Sequence, residues 1–347
     1  MRDSADPKSI LLINDMAGYG KVALSAMIPI LSHMRHQVYN LPTALVSNTL
    51  DYGVFDILET TDYMRRAIDA WDTLGFSFDA VATGFLVSEE QTRLVRDYCR
   101  ASRCGGARVF VDPIMGDEGS LYNGVTERTV GYMREMCGVA HLVLPNFTEA
   151  AFLANKFRDR VTDPAGLTRA EAEDLARAIA ALGAESVVVT SCIVEGEHAT
   201  LVLERGGELA VLPYDEVPVR FPGTGDIFSS VLIGHLLSGA HLQDATRLAM
   251  DAVRGLMLEN RDQPDAFKGI PIELYLDRIA APAEPVPSAS ADSSPVAFVP
   301  APGASASASV LPAASVPAPP APDASSPVAV PPRSSATARE SRTAEGR

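Results

Sequence analysis

The sequence predicts an α/β fold: a three-layer α/β/α sandwich with a mainly parallel central sheet. Three observations predict it. Short, nearly continuous apolar runs alternate with longer amphipathic ones, the pattern of strands covered on both faces and joined by crossover helices. Right-handed crossovers of that kind stack helices on both sides of one sheet. Clusters of Gly, Asp, Asn, Glu and Thr follow the strand-like runs, where open α/β sheets bind their ligands.

The elements follow in order. Residues 10–13 read as a strand, 23–34 as a helix, and 37–46 contain a second strand. Residues 63–74 are helical, 80–83 a strand, 89–102 helical and 108–111 a strand. Residues 141–144 form another strand, and 169–182, rich in Ala and Glu, a helix. The β-branched run 186–190 is a buried type of strand, and 198–204 with 208–213 form a hairpin around Arg205-Gly206-Gly207. Residues 227–237 are nearly uncharged and predict a buried helix.

Composition divides the 347-residue chain into a short extension (1–8), one large domain (9–280) and a tail (281–347). The tail is mostly Ala, Pro and Ser and has too little apolar surface to offset its ordering entropy, so disorder is expected. The formal net charge of −15 argues against nucleic acid or an anionic membrane as partner. The N-terminal residues are acidic and polar, unlike a secretory signal. Cys99, Cys104, Cys137 and Cys192 have neither zinc-ribbon nor C-x-x-C spacing, which fits reduced thiols in a cytoplasmic protein.

One segment carries the chemistry. Phe221-Pro222-Gly223-Thr224-Gly225-Asp226 reads as a glycine-rich turn opening the buried helix. Amides at a helix N-terminus lack partners within the helix and, with the helix dipole, form an anion site. An acid is misplaced in a site that only holds phosphate. It fits one that takes a proton from a hydroxyl attacking a phosphoryl group. An acid that merely favours the dipole is the plainer alternative.

The other strand ends supply the remaining parts of a phosphoryl-transfer site. Gly223, Thr224 and Gly225 provide the anion hole and Asp226 the general base. Glu149 with Asn146 are candidates to hold Mg²⁺ partly through water, and Asp112 and Asp117 extend the cation network. Asn146 and Glu149 also have the spacing of a helix N-cap and its first-turn acid. No P-loop, dinucleotide fingerprint, His-rich metal site or Gly-x-Ser-x-Gly is present.

The order Asp112-Pro113-Ile114-Met115-Gly116-Asp117, Pro145-Asn146-Phe147-Thr148-Glu149, Val189-Thr190-Ser191 and Gly223-Thr224-Gly225-Asp226 resembles the ribokinase-like superfamily. Gly119 with Leu121-Tyr122, the opening Asn14-Asp15-Met16-Ala17-Gly18-Tyr19-Gly20, and Ser47-Asn48-Thr49 are similar to its pyridoxal/pyridoxamine kinase branch. The resemblance implies ATP-dependent phosphorylation of the 5′-hydroxymethyl group of a B6 vitamer, with Mg²⁺, often K⁺, and a homodimer. It implies that Asp15, Gly20, Ser47 and Phe85 line the vitamin pocket, together with Asp226. It places Asp112, Asp117, Asn146, Thr190 and Ser191 on the nucleotide side, Asp112 and Glu149 at the metal, and residues 119–122 in a cover over the nucleotide. Many members have Ser-His where this chain has Asp15-Met16, Thr for Leu144 and Tyr for Phe85, which leaves the vitamer and the monovalent-cation site open. A kinase of another small alcohol, such as hydroxymethylpyrimidine or a sugar, and a non-catalytic binding protein are the competing readings.

Overall fold

In the computed structural model, the described residues are 6–122 and 125–279. The tail expected at 281–347 lies outside them. β1 (Ser9–Tyr19) shows why the strands are so apolar. Side chains alternate across a strand, and here both sides are covered. Ile10 and Leu12 enter one core and Leu11 and Ile13 the other, all without exposed surface.

The order continues with α1 (Leu24–His33), β2 (Gln37–Asn48), β3 (Ile57–Glu59), α2 (Thr61–Leu74), β4 (Ala80–Thr83), α3 (Glu89–Cys104) and β5 (Arg108–Val111). A small hairpin, β6 (Gly116–Asp117) and β7 (Ser120–Leu121), leads to α4 (Glu127–Cys137), β8 (Leu142–Val143), α5 (Phe147–Ala154) and α6 (Arg169–Ala180). Then come β9 (Ser186–Val194), β10 (Glu197–Leu203), β11 (Leu209–Pro213), α7 (Thr224–Leu237), α8 (Leu242–Asn260) and α9 (Leu276–Ile279).

Nine strands form one sheet in the order β11-β10-β9-β8-β5-β4-β1-β2-β3. From β9 to β2 the neighbours are parallel, while β3, β10 and β11 add antiparallel margins. Apolar residues of α2 to α6 pack on one face and those of α1, α7, α8 and α9 on the other. This is the expected mainly parallel sandwich.

Several elements lie where the sequence reading named none. α4 and α8 each carry an interior glycine, Gly131 and Gly255, which costs about 1 kcal/mol of helix propensity and blurs the pattern. β3 has three exposed residues and no buried face to set a period. β9 does not stop at Thr190. It passes through an irregularity where Thr190 and Ser191 face Thr200 and Ser191 adopts φ 59°, then continues to Val194. Such bulges re-aim side chains beside functional sites.

Phe110 is 1% exposed and fills the core beneath α7 and α8. Phe110→Ala is expected to lower stability by about 3–5 kcal/mol. Urea unfolding measures this, and a loss under about 1 kcal/mol would contradict the packing described.

Candidate active site

α7 begins as the sequence suggested. Gly223 precedes it with φ 85°, and a Cβ there would lie 2.1 Å from the Lys21 carbonyl oxygen, so only glycine fits. Among the described residues no side chain caps this helix, and its first amides stay free for an anion. From Ile227 to Leu237 every residue is buried. The body of the helix is thus shielded, while its first turn, with Gly225 exposed and Gly223, Thr224 and Asp226 half-buried, opens to a ligand.

Asp226 stands in the first turn, and both its oxygens are engaged. The Ala23 amide donates to Oδ2 at 2.8 Å, and Asn14 Nδ2 lies 3.4 Å from Oδ1. Burial raises the Asp226 carboxyl to about 6 against these two hydrogen bonds, which lower it. Asp15, one residue beyond Asn14 on β1, is raised to about 7 by burial and by the Asp226 charge. Burial and Asp226 also push Asp112 up. Ser229 Oγ is 2.9 Å from Asp112 Oδ2 and 2.8 Å from the Gly225 carbonyl oxygen. The single Ser229 hydroxyl hydrogen is shared between these two acceptors, and its donation to Asp112 works against the rise that burial causes.

Glu149 and Asn146 form the cap that the spacing allowed. Asn146 Oδ1 accepts from the Glu149 amide and Glu149 Oε2 from the Asn146 amide, both at 2.9 Å. Glu149 Oε1 accepts from the Met115 amide at 2.9 Å. Burial, with repulsion from Asp112, raises Glu149 well above the usual range. Asn146 Nδ2 donates to the Gly116 carbonyl at 2.8 Å, and the Gly119 amide donates to Thr148 Oγ1 at 2.9 Å. The β6–β7 hairpin, which carries Asp117, is thus pinned to the start of α5. Asp117 is raised by burial and accepts from the Glu118 amide. Thr190 lies beside Asn146, its amide donating to the Pro145 carbonyl at 3.0 Å. Ser191 is exposed.

On the other side, the Phe85 amide donates to Asn14 Oδ1 at 2.8 Å, which ties Phe85 to the base. The Ser47 hydroxyl is already engaged, donating to Asn48 Oδ1 at 2.6 Å and accepting from the Asp56 amide at 2.8 Å. Gly20 lines a cleft of about 410 Å³ with Gly18, Lys21, Ser25 and Lys268, and that lining includes none of Asp15, Asp112 and Asp226. Asp15 and Asp112 both feel the Asp226 charge and Glu149 feels Asp112, and no cation is among the groups acting on these four acids. Among the described residues no three His, Cys, Asp or Glu converge as a ready-made metal cage. The sequence reading missed Asn14 as a contact of the base, and Ala23 and Ser229 altogether. The polar pair Ser229-Ser230 inside an otherwise apolar helix was the available signal for Ser229.

A glycine turn at a buried helix start, an acid beside it and a rim of acids at the strand ends define a phosphotransferase of the ribokinase-like superfamily. The chain belongs to the phosphomethylpyrimidine kinase family, whose model matches residues 28–268. It is 30% identical over 295 residues to the pyridoxine/pyridoxal/pyridoxamine kinase of Bordetella avium, covering 76% of this chain and 94% of that one. A Bacteroides thetaiotaomicron protein described as a phosphomethylpyrimidine kinase and solved with pyridoxal is 31% identical, with a TM-score of 0.74 over 80% of this chain and 98% of that one. Pyridoxal kinase from Lactobacillus plantarum is 25% identical, with a TM-score of 0.69 over 79% and 97%.

The raised Asp15 carboxyl has a consequence for stability. A folded-state pKa of about 7 against an ordinary carboxyl value of 3.8 means that between these two pH values the folded chain holds a proton the unfolded chain has lost. The destabilisation begins above the unfolded value and is complete above about 7. Asp15→Asn is expected to stabilise by about 1–3 kcal/mol at pH 8, discounted for partial exposure, with the gain shrinking as pH falls towards 4. Urea unfolding at both pH values checks this; a gain that grows on acidification contradicts it.

Proposed function

We propose that this protein transfers the γ-phosphoryl group of ATP to the 5′-hydroxymethyl group of pyridoxal, pyridoxamine or pyridoxine. The observation that carries the reading is Asp226, a carboxylate fixed by two donors beside the free amides of a buried helix. The likeness to a B6 kinase and to a protein solved with pyridoxal, each at 30% identity or above, supports the acceptor. Asp226 takes the proton of the acceptor hydroxyl as that hydroxyl's oxygen bonds to the γ-phosphorus. The bond from that phosphorus to the β,γ-bridging oxygen breaks, and ADP leaves. The amides of residues 223–225 hold the charge on the transferring group.

Asp112 and Glu149 fit a Mg²⁺ ion that keeps much of its water, because a divalent cation would relieve the repulsion between these buried acids. Glu149 already accepts an amide on each oxygen, so Asp112 has more capacity for a direct contact. Bound Mg²⁺ would neutralise charge on the nucleotide phosphates. Asn146, Asp117, Thr190 and Ser191 are proposed on the nucleotide side. Asp15, Phe85, Ser47 and Gly20 are proposed on the vitamin side, with Ser47 and Gly20 acting through the walls of the pocket. Hydroxymethylpyrimidine is the second acceptor to consider, since the family to which the chain belongs is described as phosphomethylpyrimidine kinase, whose name points to a related pyrimidine.

A cytoplasmic location is proposed from the four free cysteines, three of them buried. Among the described residues no helix is long and apolar enough to cross a membrane. A homodimer is proposed from the exposed apolar patch at the β3 edge of the sheet, formed by Leu45, Leu50, Val54, Phe55, Ile57 and Leu58. Open apolar edges of this kind are normally covered.

Turnover is measured with MgATP and KCl against pyridoxal, pyridoxamine, pyridoxine, hydroxymethylpyrimidine and ribose. Phosphorylation of a B6 vitamer is expected, with loss of activity in EDTA. Turnover of the pyrimidine alone would move the assignment to that acceptor. Asp226→Asn is expected to cut kcat by about 10²–10⁴ while ADP affinity changes little. Retained turnover would remove Asp226 from the role of base. Leu58→Glu, at a side chain 61% exposed, is expected to turn a dimer into monomer by light scattering. A wild-type monomer would refute the dimer.

A further inference from the structure

We propose that Asn14 is a positioning residue for the proton transfer, orienting the Asp226 carboxylate and joining it to the Phe85 side of the acceptor pocket through one amide group. This rests on the reading of Asp226 as the base. Asn14 is 2% exposed and sits where β1 leaves its pairing with β4. Its Oδ1 faces two backbone N–H groups, of Asp15 at 3.0 Å and Phe85 at 2.8 Å. Both are donors, so the acceptor end of the amide must face them. That requirement turns the NH₂ end towards Asp226 Oδ1, 3.4 Å away, with Met27 Sδ 3.6 Å on its other side.

The neighbours are shaped around this amide. A Cβ on Gly84 would lie 2.4 Å from Asn14 Nδ2, so any larger residue there would displace it. Ala23 holds the other carboxylate oxygen from a backbone at φ 48°, a region that costs a non-glycine residue energy. One donor alone leaves a carboxylate free to swing about that bond. A second donor on the opposite oxygen fixes its plane and the lone pair that receives the acceptor proton. Nothing else among the described residues donates to Oδ1 of Asp226 through a side chain.

Two substitutions separate this role from folding. Asn14→Asp is nearly isosteric and keeps the acceptor for both backbone amides, yet loses the donor. Asn14→Ala removes the donor without adding charge. Both are made in the full chain, and kcat, KM for ATP and the ADP dissociation constant are compared with wild type. The expected result is a fall in kcat of about tenfold or more, with KM and ADP affinity within about twofold. Asn14→Ala with kcat within twofold of wild type overturns the proposal. So does a parallel loss of turnover and ADP binding in both variants, which marks a structural role only. A wild type that binds ADP but phosphorylates none of the panel removes the base itself and this role with it. A fully active wild type with fully active variants removes only the role of Asn14.

Discussion

Asp226 is a half-buried carboxylate at the mouth of a buried helix, crowded enough by its surroundings to be raised above the usual carboxyl range. Much of the surrounding structure can be understood as what makes that placement tolerable. The N-terminus of α7 offers a positive dipole end, and the Ala23 amide and the Asn14 side chain each meet one oxygen. These contacts come from α1 and β1, more than two hundred residues earlier in the chain. The sheet must therefore bring β1 beneath the start of α7, and the shared core of Ile10, Leu12, Ile227 and Val231 does so. Gly223 allows the close approach, because any side chain would strike the Lys21 carbonyl.

The same constraint explains the electrostatics of the rim. Burial raises all four of Asp15, Asp226, Asp112 and Glu149; the Asp226 charge adds to it at Asp15 and Asp112, and Asp112 adds to it at Glu149. In a protein of net charge −15 such a cluster does not favour a triphosphate by long-range attraction. Binding has to come from local amides and from a cation that the acids themselves gather. Perturbed acids at strand ends are a frequent mark of catalytic sites. Glu149 shows how fully such an acid can be engaged, since one oxygen caps α5 and the other holds the Met115 amide.

Much of this was legible in the chain because it depends on local pattern. Apolar runs such as 10–13, 80–83 and 186–189 announce strands covered on both sides, and the glycine turn before 227–237 announces a buried helix start. The family likeness follows from motifs that sit at strand ends. Less was legible where the local signal was weak or divided. Gly131 and Gly255 hide helices that tertiary packing forms anyway. Asn146 and Glu149 satisfy a capping pattern and a metal pattern equally, and only their hydrogen bonds show the cap to be made. Ser47 and Gly20 have the right types for a pocket, yet the Ser47 hydroxyl is spent on Asn48 and Asp56, and Gly20 lines a cleft apart from the acids.

By itself the sequence determined the layers, the mainly parallel sheet and the residues at the strand ends, because periodicity and turn chemistry act over a few neighbours. Only the tertiary structure decided which groups touch Asp226. Asn14 read as part of a loop motif, Ala23 as the start of an amphipathic helix and Ser229 as an interior helix residue. Their contacts depend on how β1, α1, β5 and α7 converge, and no local pattern encodes a distance between segments that far apart in the chain. Long-range packing brings two donors to the Asp226 oxygens and Ser229 to Asp112, and so it alone sets the geometry in which a proton can be taken.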